Sequence, residues 1–456
     1  MGHGVMFLHR VGGPGYAGRM SIETSEQGLS ETVRIARDLI RFDTTNRGGG
    51  DAEPERPAAE YVAKYLSELG LEPQIFEAAP GRASVIARVA GSDSSLPALV
   101  LHGHLDVVPA DAANWSVDPF AGTIKDGMLW GRGAVDMKDM DAMILTAIAE
   151  LLRAGEQPRR EVILAFFADE ENGGVYGAQH LVTNHPELFD GAATAVSEVG
   201  GYSIDIEGTR AYLIQTGEKS LDWIRLRARG TAAHGSRVWS DNAVTRLAEA
   251  IAALGRHEWP LLLCDTTREL VDAIAEILGE DPTEVGPEEL VLRLGKTGGF
   301  IQASLRNTSN PTVLTAGYKH NVIPDTAEAL VDVRAIPTER DGILAEVQRI
   351  VGDDIEIEIV HSDIGLEVPF SGELIEAMTA SLHREDPDAR VLPYLLSGGT
   401  DNKSLARLGI TGYGFAPLRL PADLDFPGMF HGVDERVPLD ALDFGHRVLV
   451  DLLRTY

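Results

Sequence analysis

A series of short apolar runs set between helical segments constrains this chain most: SVIARVA, LPALVLHGH, EVILAFFADEE and TAVSE. A strand covered on both faces loses apolar–polar alternation, and such strands belong to parallel sheets flanked by helices. Helical spacing marks ETVRIARDLIRF and AAEYVAKYLSELG, where Gly70 is placed to end the second helix. It returns in DMDAMILTAIAELLRAG, between the second and third apolar runs. The alternation predicts an α/β domain with a mainly parallel central sheet and flanking helices.

The character changes after Tyr202. AYLIQTG, LDWIRLRARG, EALVDVRAI and IEIEIVH alternate apolar with polar, as half-exposed strands do. Helices fit between them at NAVTRLAEAIAAL, RELVDAIAEIL and ILAEVQRIV. This predicts a smaller α+β domain inserted into the first, and 456 residues leave room for two cores. From about Phe370 the first character resumes, with a helix at GELIEAMTASLH, strands RVLPYLL and ITGYGFA, and a last helix from Pro438.

Charge narrows the partners. Seventy acidic residues against 40 basic ones give a formal charge of −30, which repels nucleic acid and anionic membrane surfaces. The single cysteine, Cys264, excludes an internal disulfide and fits a reducing, cytoplasmic setting. No apolar run approaches the roughly 18 residues of a membrane span. Residues 1–20, MGHGVMFLHRVGGPGYAGRM, lack the apolar core of a signal peptide and are expected to be a disordered leader, with Met20 an alternative start.

Five places carry candidate chemistry, four of them just after a predicted strand: His102 to Asp106, Gly131 to Asp139, Asp169 to Glu171, Ser197-Glu198, and His431 to Glu435. Taken alone, a histidine after a strand is ordinarily a hydrogen-bonded structural residue, and two adjacent acids are ordinarily a solvated turn. Their joint placement argues otherwise, because open α/β sheets gather functional groups beyond the carboxyl ends of their strands. With almost no thiol available, imidazoles and carboxylates suit zinc, manganese or cobalt. Two divalent ions roughly 3.5–4 Å apart need a bridging carboxylate and unshared ligands on either side. Asp136 is the best bridge, with His104 and Glu198 completing one site and Glu171 and His431 the other. Glu170 is left over as a general base for a metal-bridging water. Asp106 is placed to orient His104 through its other ring nitrogen.

At these residues the sequence resembles the zinc metallopeptidase family of acetylornithine deacetylase, succinyl-diaminopimelate desuccinylase, aminoacylase, carboxypeptidase and dipeptidase. HGHLDVVP, GRGAVDMKDMDA, ADEENGG, SEVGG, GTAAHGS, HNVIP, DVRAIP, SGGTDN and HGVDE follow in the family's order from Leu101 to Glu435. The resemblance implies a zinc-peptidase-like catalytic domain in two parts, 21–211 and 367–456, and a lid and dimerisation domain over 212–366. It implies the same five ligands for two ions, zinc foremost, with Glu170 as base, and a homodimer. It also implies that His234 polarises the scissile carbonyl, often in the partner's site. Asn321 and Arg334 would hold the substrate, Arg334 presenting its fork to a carboxylate. Gly399 and Thr400 would line the substrate loop.

Two features lean toward one branch of the family. Glutamate at position 198 resembles aminoacylases, desuccinylases and carboxypeptidases, and the long stretch 260–311 resembles the larger aminoacylase and carboxypeptidase members. Asp139 departs from the glycine many members carry after the lysine of their second motif. The expected activity is amide hydrolysis in a dipeptide or N-acyl amino acid. A specific deacylase such as a desuccinylase, or a non-catalytic metal-binding homologue, is the alternative.

Overall fold

In the computed structural model, which describes residues 28–456, the apolar runs lie side by side in a ten-stranded sheet. The expectation for residues 1–20 lies outside the described residues. Strand Ala98–His104 sits at the centre, parallel to Val162–Phe167 on one side and to Ala192–Ser197 on the other. Thr411–Gly414 continues the parallel order, and Gln74–Ala79 and Arg82–Val89 close one end antiparallel. Every residue of Ala98–His104 and Val162–Phe167 is buried. That is why their sequences show no alternation.

Helix Lys138–Arg153 lies under the central strand and packs against Glu31–Ile40 and the C-terminal helix Leu439–Thr455. It comes so close that no Cβ fits at Gly103, where Asp141 and Met137 occupy the space. None of the described helices is long and apolar enough to cross a membrane.

A separate four-stranded antiparallel sheet runs Thr308–Ala316, Thr326–Ala335, Ser220–Arg229, Ile355–Asp363. Burial alternates strictly along Thr326–Ala335 and almost as strictly along Ser220–Arg229, matching their two-residue period. Helices Ala243–Gly255 and Arg340–Val351 cover the apolar face and build a second core with Ile224, Leu226, Val331 and Val333.

Two stretches expected in this second domain belong to the first. Strand Thr209–Glu218 pairs inside the large sheet and is buried from Ala211 onward, although its alternation reads as half-exposed. Its polar side chains bond within the protein: Gln215 donates to Glu218 and to the Gly217 carbonyl, and Glu218 accepts from the Thr400 hydroxyl at 2.7 Å. The helices between Asp265 and Gln302 also turn back, and Leu270, Ile274, Val291 and Ile301 join the first domain's core. The covered face of the small sheet is already occupied by two helices, so the apolar stripe of these helices finds its partner on strand Arg390–Leu396.

Candidate metal centre and active site

His104 ends the central strand. Its Nδ1 lies 3.0 Å from the Asp106 carbonyl oxygen, which can only accept, so Nδ1 carries the proton and Nε2 is left for a ligand. That Nε2 is 3.1 Å from Asp136 Oδ1, and the other oxygen, Oδ2, is 3.3 Å from His431 Nε2. One carboxylate therefore faces two imidazoles, which is the geometry of a bridge. Glu171 Oε2 stands 3.1 Å from His431 Nε2, and Glu198 Oε2 stands 3.6 Å from His104 Nε2. Glu170 Oε2 is further off, at 3.9 Å from His104 Nε2. The structure thus brings together all six residues from five segments that lie far apart in sequence.

Donor atoms of His104, Asp136 and Glu171 fall within 4.8 Å of one another, and so do those of His104, Glu170 and Glu198. Glu171 Oε1 is buried without a hydrogen-bond partner among the described residues. Four carboxylates gathered around two imidazoles demand positive charge, which two divalent cations would supply. The oxygen and nitrogen donors and the orphaned carboxylate oxygen fit such ions.

Electrostatics follow from this crowding. Burial pushes Glu198 up to about 8, and burial with the neighbouring Glu198 charge drives Glu170 well above the usual carboxylate range. Burial also opposes ionisation of Asp136, but hydrogen bonds from His104 and His431 hold it below its ordinary value. Hydrogen bonds to Asp136 and Glu171 raise His431 to about 10. Burial opposes charge on His104, yet the surrounding carboxylates, Glu198 first, raise it well above its ordinary value. Protons partly supply the positive charge the cluster demands.

A buried scaffold supports the cluster. The Asp106 carboxylate accepts from the Glu170 and Glu171 amides at 3.0 and 3.2 Å and from Asn46 Nδ2 at 2.8 Å. It fixes the acidic turn, while its main-chain carbonyl, at 3.0 Å, orients His104 more closely than the carboxylate does at 3.6 Å. Asp169 takes the left-handed conformation at φ 65°, held by Arg82 at 2.7 Å, and Arg82 also pairs with Glu55 at 2.7 Å. Glu435 holds the Asp136 loop: it accepts from the amides of Gly133, Val135 and Asp136 and from Arg132 Nη1 at 2.7 Å.

None of Asn46, Glu55, Arg82 and Glu435 was singled out by its spacing. Glu435 had a visible signal in HGVDE; the others lie outside the motifs.

A cavity of about 450 Å³ opens over the cluster. Gly399, Thr400 and Arg334 line it, together with Trp223 and His361 from the small sheet and Lys403, Phe300 and Phe430 from the large domain. The Arg334 fork is engaged by Asp332 at 2.8 and 3.0 Å, and its Nη1 donates to the Ser397 carbonyl at 3.2 Å. Thr400 gives its amide and hydroxyl to Glu218, so its contribution to the lining is its backbone and methyl surface. His234 and Asn321 do not line this cavity. They lie about the short pairing of Ala233–His234 with Val322–Ile323, where His234 is exposed and bonds Ser236 at 2.8 Å.

A two-part catalytic fold, a second sheet overhanging its strand ends and a carboxylate–imidazole cluster between them define a metallohydrolase class. The chain belongs to peptidase family M20/M25/M40, whose profile matches residues 100–455. It is similar to the N-fatty-acyl-amino acid synthase/hydrolase PM20D1 of Xenopus tropicalis, 26% identical over 453 residues, covering 95% of this chain and 87% of that protein. Aminoacylase-1 of Sus scrofa is 26% identical over 432 residues, covering 90% of this chain and 91% of its own. Among solved structures, an M20 family metallo-carboxypeptidase from Sulfolobus solfataricus superposes with a TM-score of 0.72 at 18% identity, covering 94% of this chain and 99% of that one. The Bacillus subtilis YXEP protein, titled a dinuclear metal binding peptidase from this family, superposes at 0.57 and 14% identity over 92% and 96% of the two chains. The protein is thus an enzyme of an amide-cleaving hydrolase family.

Proposed function

We propose that this protein hydrolyses the amide bond of an N-acyl amino acid or a dipeptide. Two divalent ions, zinc foremost, would be held by His104, Asp136, Glu171, Glu198 and His431. The observation that carries this reading is Asp136, whose two oxygens face His104 and His431 at 3.1 and 3.3 Å. When bound, the ions supply Lewis acidity and make water a nucleophile near neutral pH.

Glu170 acts as general base and acid. It takes a proton from the attacking water as the carbon–oxygen bond forms, and gives it to the amine as the carbon–nitrogen bond breaks. Asp106 holds the Glu170–Glu171 turn in register, and Glu435 does the same for the Asp136 loop.

The second domain acts as a lid and as the dimer contact. His234, exposed and outside its own cavity, would polarise the carbonyl in the partner's site, with Asn321 beside it. Arg334 would meet the substrate carboxylate by releasing Asp332. Gly399 and Thr400 shape the floor beneath it.

The test is hydrolysis of a panel of dipeptides, N-acyl amino acids and N-succinyl-diaminopimelate by metal-stripped protein, with and without zinc, manganese or cobalt. Cleavage that appears only with metal supports the reading. Binding of two ions with no cleavage of any member refutes it in favour of a non-catalytic homologue.

A further inference from the structure

The helices between Asp265 and Gln302 end on a short helix, Lys296–Gln302, that carries Phe300 to the cavity mouth. Their placement is anchored to the catalytic domain. Leu290, Val291 and Ile301 are buried in its core, and Arg293 bonds Glu207 beside them. Phe300 therefore keeps its position relative to the metal cluster without help from the small sheet.

Phe300 stacks on Phe430, with ring centroids 6.2 Å apart and planes 20° from parallel. Phe430 immediately precedes His431 in the chain. Behind it the aromatic row continues, with Phe426 edge-on at 5.3 Å and Tyr202 a further 4.9 Å on. Phe300 and Phe430 are half-buried, so their outer surfaces face the cavity. Val199, Leu396 and Pro427 extend the same lining. The lining residues with ionisable side chains outside the metal cluster come from elsewhere: Arg334, His361 and Asp363 from the small sheet, and Asp401 and Lys403 from the segment after strand Arg390–Leu396.

We propose that Phe300 is a specificity-determining residue which, with Phe430, forms an acyl-chain subsite beside the metal centre. The substrate class is then an amino acid N-acylated by a medium or long aliphatic, or an aromatic, acyl group. This rests on the amide-hydrolase reading above. An apolar chain laid on this wall leaves water, while an acetyl group is too short to cover it and a carboxylated chain would lose its hydration there. The wall belongs to the large domain and the Arg334 fork to the small sheet. Acyl length and amino-acid identity should therefore be read by different domains.

The experiment uses the full chain loaded with metal and a series sharing one amino acid: N-acetyl, N-butyryl, N-hexanoyl and N-octanoyl. Each buried methylene should raise kcat/KM up to about fourfold, so the octanoyl-to-acetyl ratio should reach about 100-fold or more. Phe300→Ala should lower that ratio at least about tenfold, and Phe300→Leu, which keeps apolar surface, should recover most of it. The readout is a ratio within one preparation, so a partly unfolded variant still reports. A flat wild-type series, or a ratio unmoved by Phe300→Ala, overturns the subsite while leaving the hydrolase reading standing. No cleavage of any member at any metal overturns both.

Discussion

Replacing Glu435 by glutamine tests whether the Asp136 loop is pre-organised by one buried carboxylate. Glu435 is fully buried and accepts four hydrogen bonds, from the amides of Gly133, Val135 and Asp136 and from Arg132. Glutamine keeps the volume but turns one acceptor oxygen into a donor. Either Arg132, 2.7 Å from Oε2, or the Val135 and Asp136 amides at 2.7 and 3.2 Å from Oε1 then face an N–H group. Removing one partner of a buried ion pair costs about 3–5 kcal/mol. Retaining the other contacts should reduce this toward about 2–3 kcal/mol, because each stranded donor costs about 1–3 kcal/mol. Part of that cost reaches the metal through Asp136, as supporting residues of this kind typically change affinity 10- to 100-fold. Competition of the apo-protein against a chelator of known affinity measures it. An unchanged metal affinity in a variant with unchanged melting would refute the idea that Glu435 organises the site.

Four further outcomes are expected. Glu170→Gln should still bind two ions while kcat falls about 10²- to 10⁴-fold; loss of one ion by calorimetry would make Glu170 a ligand instead. Co-expressed His234→Ala and Glu170→Gln chains should regain activity that neither shows alone, since the proposed dimer would then hold one complete site in a mixed pair; an inactive mixture would refute the action of His234 across a dimer. Lys219, fully buried and with Nζ lacking a hydrogen-bond partner among the described residues, has its amine pushed down to about 7 by burial. Between pH 7 and about 10.5 the unfolded chain then binds the extra proton, so stability should rise with pH across that window, by a few kcal/mol in all. Lys219→Met should flatten the rise in urea titrations and be the more stable protein at pH 7; an unchanged slope would show that Lys219 is hydrated. Arg82→Met should take the cation from between the buried carboxyls of Glu55 and Asp169, lowering the melting temperature and loosening the acidic turn. Metal affinity equal to wild type in that variant would separate Arg82 from the site.

How far sequence alone reaches is visible at particular residues. VILAFF and ALVLHGH announce central strands because both faces are covered and every position must be apolar or internally bonded. His104, Glu170, Glu171 and Glu198 follow such strands directly, so the common direction of parallel strands delivers them to one edge. The two-residue period of the small sheet was equally legible, since one of its faces meets solvent.

Other features depended on partners remote in the chain. The polar positions of Thr209–Glu218 look solvent-facing until Thr400 and Gln215 are seen to satisfy Glu218. The helical period from Asp265 to Leu278 states that one face is apolar, not which sheet will cover it. Asn46, Arg82 and Glu435 stand 60, 87 and 299–303 residues from the groups they hold, and no local pattern encodes such a pairing. The sequence by itself therefore determined element types, the parallel centre and the strand ends where the candidate ligands gather, because these follow from nearest-neighbour geometry and burial. Only the tertiary structure decided that the 265–302 helices serve the catalytic domain, that Phe300 reaches the cavity and that His234 stays out of it. Those outcomes depend on which surface each apolar face is finally buried against, and no local pattern encodes that choice.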